Sequence, residues 1–331
     1  MKRALFVLCV LSVLLASAIT VGAPKMKVML YSSMKDSQLS ALQKAFSKKY
    51  PDIVFDYYTA GTGKVLTKLA AEQQAGGIAA DMIWVGEPTN YVEFKQQGLL
   101  EKYISPEAKT INAIYKDKDG YYCGARIVGL GIAYNTNNIK GNDIPKDWND
   151  LLNPKFKGVL GMTDPAFSGT TLYTVAAFVQ NPKYGYDFLK ALKANDIKLV
   201  QGSSDSVTKV GSGEWDMSIA VDYIAKDQMD QGSPVGFVYP ASGASIVASP
   251  IAIVRGTKNL EAAKILYDYI LSLEGQKVLV EANTIPIRTE IKLPAVDLNK
   301  LLGSALPVDD YRLVAEKDEM LDKFVEIMRK K

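Results

Sequence analysis

Short apolar runs alternate with segments of helical spacing along most of the chain. Lys27–Tyr31 predicts a strand, whereas Gln38–Lys48 predicts a helix because Leu39, Leu42 and Phe46 fall on one face. Such alternation of strands and helices is typical of α/β architecture. The other predicted strands are 53–57, 81–85, 130–134, 159–162, 217–221, 235–239 and 246–254, and the other predicted helices are 64–74, 170–180, 184–193, 207–210, 223–231, 261–273, 276–281 and 309–329.

Two extended stretches, near residues 125–135 and 245–255, predict crossings between two lobes. A chain that crosses twice forms a discontinuous first lobe, with the second lobe inserted into it. The predicted bounds are 26–127 plus 250–331 for the first lobe and 128–249 for the second. The alternative is one large doubly wound sheet.

The amino end has the pattern of a secretory signal peptide over residues 1–18. Lys2 and Arg3 precede a nearly continuous apolar run at 5–15, and Ala16-Ser17-Ala18 supplies small residues for cleavage. The alternative is a buried amino-terminal helix. Cleavage would remove Cys9 and leave Cys123 as the one cysteine, so the exported chain would contain no disulfide of its own.

Composition excludes several classes of function. Lys plus Arg is 39 and Asp plus Glu is 36, which gives a net charge of +3, and the absence of a basic run argues against a nucleic-acid partner. The chain has no histidine, which removes Ser–His and Cys–His nucleophile pairs and histidine-ligated metals. Two cysteines are too few for a cysteine zinc site. We therefore expect no cofactor and no bound metal.

Small hydroxyl residues and glycines follow several predicted strands or open predicted helices. Helix N-termini present free N–H groups and a partial positive charge, so converging helix openings could bind one anion. The alternative for each is a simple helix cap. The candidate anion-binding residues are Ser32, Ser33, Thr62, Gly63, Ser168, Gly169, Thr170 and Ser204.

Four single residues are further candidates. Glu87, Asp222 and Tyr223 follow predicted strands, and an acidic residue there could bind an amine or sugar hydroxyls. A capping role is the alternative for Glu87 and for Asp222. Arg126 lies near the first crossing and could pair with an anion, or else form a surface salt bridge.

Several motifs, with the signal peptide, carry a resemblance that extends over nearly the whole exported chain. They resemble the periplasmic substrate-binding proteins of ABC importers, in the branch that holds ferric-ion, thiamine, aminoethylphosphonate and sugar-phosphate binders. The resemblance implies a two-lobed type II fold that closes at a hinge. It also implies a monomer in the periplasm that delivers solute to a membrane permease and its ATPase. The motifs are Leu30-Tyr31-Ser32-Ser33, Gly61-Thr62-Gly63-Lys64, Ala80-Asp81-Met82-Ile83-Trp84, Trp148-Asn149-Asp150-Leu151-Leu152, Ser168-Gly169-Thr170, Gly213-Glu214-Trp215-Asp216 and Glu274-Gly275-Gln276.

The ligand prediction follows from the residues after 217–221. Ferric members have adjacent tyrosines at this point, whereas this chain has Asp222-Tyr223-Ile224. In anion-binding relatives the segment that matches Ser168-Gly169-Thr170 supplies hydroxyl and N–H donors. We therefore predict a small phosphorylated or phosphonate-bearing solute and no enzymatic activity.

Two alternatives to this ligand prediction stay open. The first is a ferric-ion binder that uses Tyr223, Tyr31 and Glu87. The second is a secreted phosphohydrolase that uses Ser33 or Thr170, for which no histidine is available as the base.

Overall fold

The computed structural model describes residues 25–294 and 296–329. The predicted signal peptide at 1–18, with Cys9, lies outside these residues. Strands and helices alternate as the hydrophobic pattern predicts, and the strands β6 and β10 are additions to that prediction. The strands are β1 (Met26–Ser32), β2 (Ile53–Thr59), β3 (Met82–Trp84), β4 (Cys123–Asn135), β5 (Leu160–Thr163), β6 (Lys198–Val200), β7 (Met217–Val221), β8 (Val235–Val238), β9 (Ser245–Ile253) and β10 (Ile285–Pro286).

Each predicted helix is present, with bounds that differ by four residues or fewer, and α3 and α10 are additional. None of the helices within the described residues is long and apolar enough to cross a membrane. The helices are α1 (Asp36–Lys49), α2 (Thr62–Gln74), α3 (Thr89–Gln96), α4 (Gly169–Gln180), α5 (Gly185–Ala194), α6 (Ser203–Ser212), α7 (Asp222–Asp230), α8 (Leu260–Leu271), α9 (Leu273–Glu281), α10 (Leu298–Gly303) and α11 (Asp310–Arg329).

Two long antiparallel strands, β4 and β9, join two sets of parallel strands. The order along the sheet is β2-β1-β3-β9-β4-β7-β5-β6. Strands β1 to β3 are parallel to one another, as are β5 to β7, but the two sets run in opposite directions because three antiparallel pairings separate them. This arrangement rules out one doubly wound sheet. We call the elements packed around β1–β3 the first lobe and those around β5–β7 the second lobe.

The strand register brings the carboxyl ends of both parallel sets to the middle of the molecule. Trp84, at the end of β3, pairs with Ile251, which in turn pairs with Cys123 of β4. Val221, at the end of β7, pairs with Leu130, which also belongs to β4. The two ends therefore face each other across the part of β4 between Cys123 and Leu130. Ligands of open α/β sheets bind outside such carboxyl ends.

The terminal helix α11 packs differently from the predicted lobe bounds, which assign 250–331 to the first lobe. Its apolar side chains Leu313, Met320 and Phe324 belong to the hydrophobic core of the second lobe. Lys317 Nζ of the same helix lies 2.7 Å from Glu93 Oε1 on α3, in the first lobe. Helix α11 thus contacts both lobes.

Candidate ligand-binding cleft

A cavity of about 250 Å³ lies between the lobes, where the carboxyl ends of the strands face each other. Its walls come from the loops that follow β1, β2 and β3 in the first lobe and β5, β6 and β7 in the second. The predicted site residues that line it are Ser33, Thr62, Ser168, Thr170, Ser204 and Tyr223.

Several helices begin at this cavity, among them α2 at Thr62, α4 at Gly169 and α6 at Ser203. Ser168 caps α4, since its hydroxyl accepts a hydrogen bond from Thr171 N at 3.3 Å. The first N–H groups of a helix have no partner within the helix, and they carry its partial positive charge. The cleft is therefore supplied with hydrogen-bond donors from both lobes.

Arg126 lies at the floor of the cleft, on the segment of β4 between the two strand ends. Its side chain points there after a β-bulge between Gly124 and Arg126, and bulges commonly redirect side chains in this way. The residue is only 1% exposed, so the alternative of a surface salt bridge is wrong. Nη1 donates to Gln38 Oε1 at 3.2 Å, and the guanidinium lies 5.2 Å from the ring centre of Tyr223.

The guanidinium of Arg126 forms no direct ion pair within the described residues, although it interacts electrostatically with the buried carboxylate of Asp222 and favours the ionised form of that group. Arg126 Nε has no hydrogen-bond partner, and no carboxylate of the described residues forms a salt bridge with the guanidinium. A buried charge without a counter-charge is costly. An anion in the cleft would supply a direct charged partner.

A second cation, Lys35, lines the cleft and was missed by the sequence analysis. Lys35 Nζ lies 2.6 Å from Asp227 Oδ2 on α7. This ion pair connects the first lobe to the second. Asn283 of the first lobe donates to the other oxygen of Asp227 at 2.8 Å. The sequence signal for Lys35 was its position three residues after the end of β1, directly after the candidates Ser32 and Ser33.

Two predicted residues have local structural contacts instead of lining the cleft. The Ser32 hydroxyl donates to Trp84 O at 2.8 Å and accepts from Met34 N at 3.1 Å. The Asp222 carboxylate accepts from Gly129 N at 2.8 Å and from the Tyr239 hydroxyl at 3.0 Å. Burial raises the pKa of Asp222 to about 6.

The two predicted glycines lie where the lobes touch. A Cβ added at Gly63 would lie 3.2 Å from Ala166 O, and one added at Gly169 would lie 3.0 Å from Glu87 Cβ and 3.3 Å from Thr62 Cγ2. A Cβ at these distances would be crowded, and glycine avoids this because it has no side chain. The lobes are therefore in contact around the cleft in this structure.

Glu87 lies behind the first turn of α4, outside the residues that line the cavity. It is 1% exposed, Oε2 accepts from Asn90 Nδ2 at 3.3 Å, and Oε1 has no hydrogen-bond partner. Burial raises the pKa of Glu87 from 4.5 to about 8. The residue is thus a buried carboxyl group whose neutral form is favoured.

The residues of the ferric alternative are not brought together. Tyr223 lines the cleft, but the Tyr31 hydroxyl donates to Glu72 Oε1 at 2.8 Å, and Glu87 lies behind α4. Among the described residues, no group of three or more His, Cys, Asp or Glu side chains could hold a metal ion.

A larger and more open depression, of about 780 Å³, lies at the opposite end of the first lobe. Its buried carboxylate, Asp81, accepts hydrogen bonds from Met29 N at 2.7 Å and from Asn259 Nδ2, and also bonds Thr257. These contacts tie loops together. The carboxylate of Asp81 is therefore already occupied by these hydrogen bonds.

Known proteins with this architecture include solute-binding proteins. AfuA from Actinobacillus pleuropneumoniae, solved with exogenous fructose-6-phosphate bound, is 26% identical, with a TM-score of 0.81 over 92% of this chain and 98% of its own. Iron-bound HitA from Pseudomonas aeruginosa has a TM-score of 0.78 over 91% of this chain and 99% of its own, and at 22% identity it shows the fold alone.

Sequence comparison agrees with the fold. A candidate 2-aminoethylphosphonate-binding periplasmic protein of Salmonella typhimurium is 27% identical over 263 residues, which cover 75% of this chain and 73% of that protein. The sequence pattern of the bacterial extracellular solute-binding proteins matches residues 79–316. The chain therefore belongs to the bacterial extracellular solute-binding protein family, and its two lobes have the type II periplasmic binding protein fold.

Proposed function

We propose that the chain is the periplasmic solute-binding component of an ABC importer and that it captures a small phosphorylated or phosphonate-bearing solute between its lobes. In this proposal residues 1–18 direct export, and the loaded monomer delivers its solute to a membrane permease with its ATPase. Membership of the family supports the transport role. The fructose-6-phosphate bound to AfuA and the name of the Salmonella relative support the ligand class.

The buried guanidinium of Arg126 is the observation that carries the ligand proposal. It is 1% exposed, faces the cavity and has no salt-bridge partner among the described residues. Such a group destabilises the empty protein and is stabilised by an anion. Guanidinium also matches the geometry of phosphate oxygens, which it can bind through two N–H groups.

The remaining cleft wall fits the same ligand class. The charged residues that line the described cavity are Lys35 and Arg126, with no carboxylate among them. The hydroxyls of Ser33, Thr62 and Thr170 and the N-termini of α2, α4 and α6 add donors. Phosphate groups commonly bind at helix N-termini. In this proposal, Ser168 and Ser204 complete the wall, and Tyr223 packs against Arg126.

The two alternatives have less support. A ferric ion needs several anionic oxygen ligands, and of the three residues considered only Tyr223 lines the cleft. A phosphohydrolase that uses Ser33 or Thr170 would need a base beside it, and no carboxylate of the described residues lines the cavity.

Calorimetric titration tests the proposal. The set is glucose 6-phosphate, glycerol 3-phosphate and 2-aminoethylphosphonate, each beside the compound in which hydrogen replaces the phosphorus group: glucose, glycerol and ethylamine. We expect binding of at least one phosphorus-bearing member and of no counterpart. Arg126→Met should weaken that binding by at least about tenfold, because hydrogen bonds to charged groups contribute roughly 1.5–3 kcal/mol each.

The matched control is Arg255→Met, which removes an exposed arginine from the opposite end of the first lobe and should leave affinity unchanged. Binding of a counterpart as tight as that of its phosphorus-bearing partner in the set would overturn the ligand proposal. So would an Arg126→Met variant that binds as tightly as the parent.

A further inference from the structure

The first turn of α4 has two sides. One side lines the cavity, and the other side packs against an acidic residue. Its front side, with Ser168 and Thr170, lines the cavity. Its back side packs on Glu87, since a Cβ added at Gly169 would lie 3.0 Å from Glu87 Cβ. Glu87 comes from the first lobe and α4 from the second, so this contact crosses the interface between the lobes. The same helix N-terminus thus faces the cleft and a buried carboxyl group.

Glu87 is poorly placed to hold a negative charge. It is 1% exposed, and its Oε1 has no hydrogen-bond partner. Glu87 lies just before α3, near Asn90 of that helix, which donates to Oε2 at 3.3 Å, and near the carboxylate of Glu93, which disfavours its ionised form. A single long hydrogen bond is a weak substitute for the water that burial removes.

Two further elements surround the group. From α11, the Asp310 carboxylate opposes ionisation of Glu87, and the Lys317 ammonium favours it. Lys317 is already paired with Glu93, however, at 2.7 Å. From α4, Tyr173 hydrogen-bonds Asp310, and burial of both groups raises their pKa values. The surroundings therefore contain more negative than positive charge, apart from the N-terminus of α4.

We propose that binding of an anion at the front of α4 is coupled to protonation of Glu87 behind it. Glu87 acts as a positioning residue: in its neutral form it leaves the N-terminus of α4 free for the ligand, whereas its carboxylate would compete for the same partial positive charge. This inference rests on the proposed anion-binding function.

The sign of the pH dependence follows from this competition. Burial already raises the pKa of Glu87 to about 8, and a bound anion raises it further through repulsion. The complex then binds more protons than the free protein. Affinity is therefore highest below pH 8 and falls as the pH rises through 8, by at most tenfold per pH unit for one proton.

The test uses inorganic sulfate as the probe, because its charge does not change between pH 7 and 9. Calorimetry at pH 8 in two buffers of different ionisation enthalpy counts the protons taken up on binding. We expect the parent to take up a fraction of one proton and Glu87→Gln to take up none. Glu281→Gln, which changes an exposed glutamate on α9, should behave as the parent.

A second measurement needs no ligand. A carboxyl group with a raised pKa stabilises the fold most at low pH and loses that contribution as the pH rises from its ordinary 4.5 to about 8. The melting temperature of the parent should therefore fall relative to that of Glu87→Gln between pH 5 and pH 8. Parallel profiles of the two proteins would overturn the inference.

The outcomes separate this inference from the function on which it rests. If sulfate binds and the parent and Glu87→Gln take up the same number of protons, the coupling is wrong and the anion site stands. If neither sulfate nor any phosphorus-bearing solute of the set binds at pH 7, the proposed function is wrong, and the coupling with it.

Discussion

The Ser203 hydroxyl lies 3.2 Å from the Ser168 hydroxyl and donates a hydrogen bond to it. Ser203 begins α6 and Ser168 caps α4, so this bond joins the starting points of two helices of the second lobe. Ser168 also accepts from Thr171 N at 3.3 Å. The hydroxyl of Ser168 thus serves as a cap and lines the cleft at the same time.

Ser168→Ala should weaken binding of a phosphate-bearing solute by roughly 10- to 100-fold, since a hydrogen bond to a charged group contributes about 1.5–3 kcal/mol. Ser272→Ala is the control, because Ser272 caps α9 through Gly275 N at 3.1 Å and does not line the cleft. Each variant should lose about 1 kcal/mol of stability with its cap. Calorimetry that finds equal affinity for both variants would make Ser168 a cap only.

Gly63→Val should hinder closure of the lobes, because its Cβ would lie 3.2 Å from Ala166 O. In solution scattering, saturating ligand should reduce the radius of gyration of the parent, as hinge closure does. It should reduce that of the variant less. Gly77→Val, where a Cβ meets nothing within 4 Å, should behave as the parent. A parent profile that ligand leaves unchanged would contradict the hinge mechanism.

The purified protein should be colourless and should gain no visible absorbance with ferric citrate. Iron bound by tyrosinate absorbs strongly in the visible range, and Tyr223 is the one residue of the ferric alternative that lines the cleft. An absorption spectrum recorded during the titration checks this. A strong band that disappears in Tyr223→Phe would favour the ferric alternative over the phosphate one.

Arg126→Met should separate stability from affinity. The variant removes a buried charge that forms no salt bridge with a carboxylate of the described residues, so the free energy of unfolding without ligand should stay unchanged or rise. Denaturant unfolding of the ligand-free protein measures it. A large loss of stability would show that the hydrogen bond to Gln38 and the ring contacts outweigh the cost of burying the charge.

The sequence predicted elements more reliably than side-chain directions. Apolar periodicity located the main strands and helices, but β6 has only three residues, and α3 mixes polar and apolar positions too evenly to show a buried face. The hydroxyl residues after strands were found because strand ends converge in this architecture. Arg126 faces the cleft because of a β-bulge, and no residue pattern predicts that bulge.

The acidic candidates show the same limit. Glu87 and Asp222 both follow a strand end, as predicted, yet both side chains are buried away from the cavity. Position after a strand places the backbone at the cleft, but the local torsion angles decide which way each side chain points.

The place of β9 in the sheet sets an order on folding. This strand ends at Ile253 and lies between β3 and β4, which end at Trp84 and Asn135. The first lobe therefore lacks a central strand until more than three quarters of the chain is available. Pairing over such sequence distances is slow. We expect the amino-terminal part to remain unfolded during synthesis, in a form that a translocation channel can still accept.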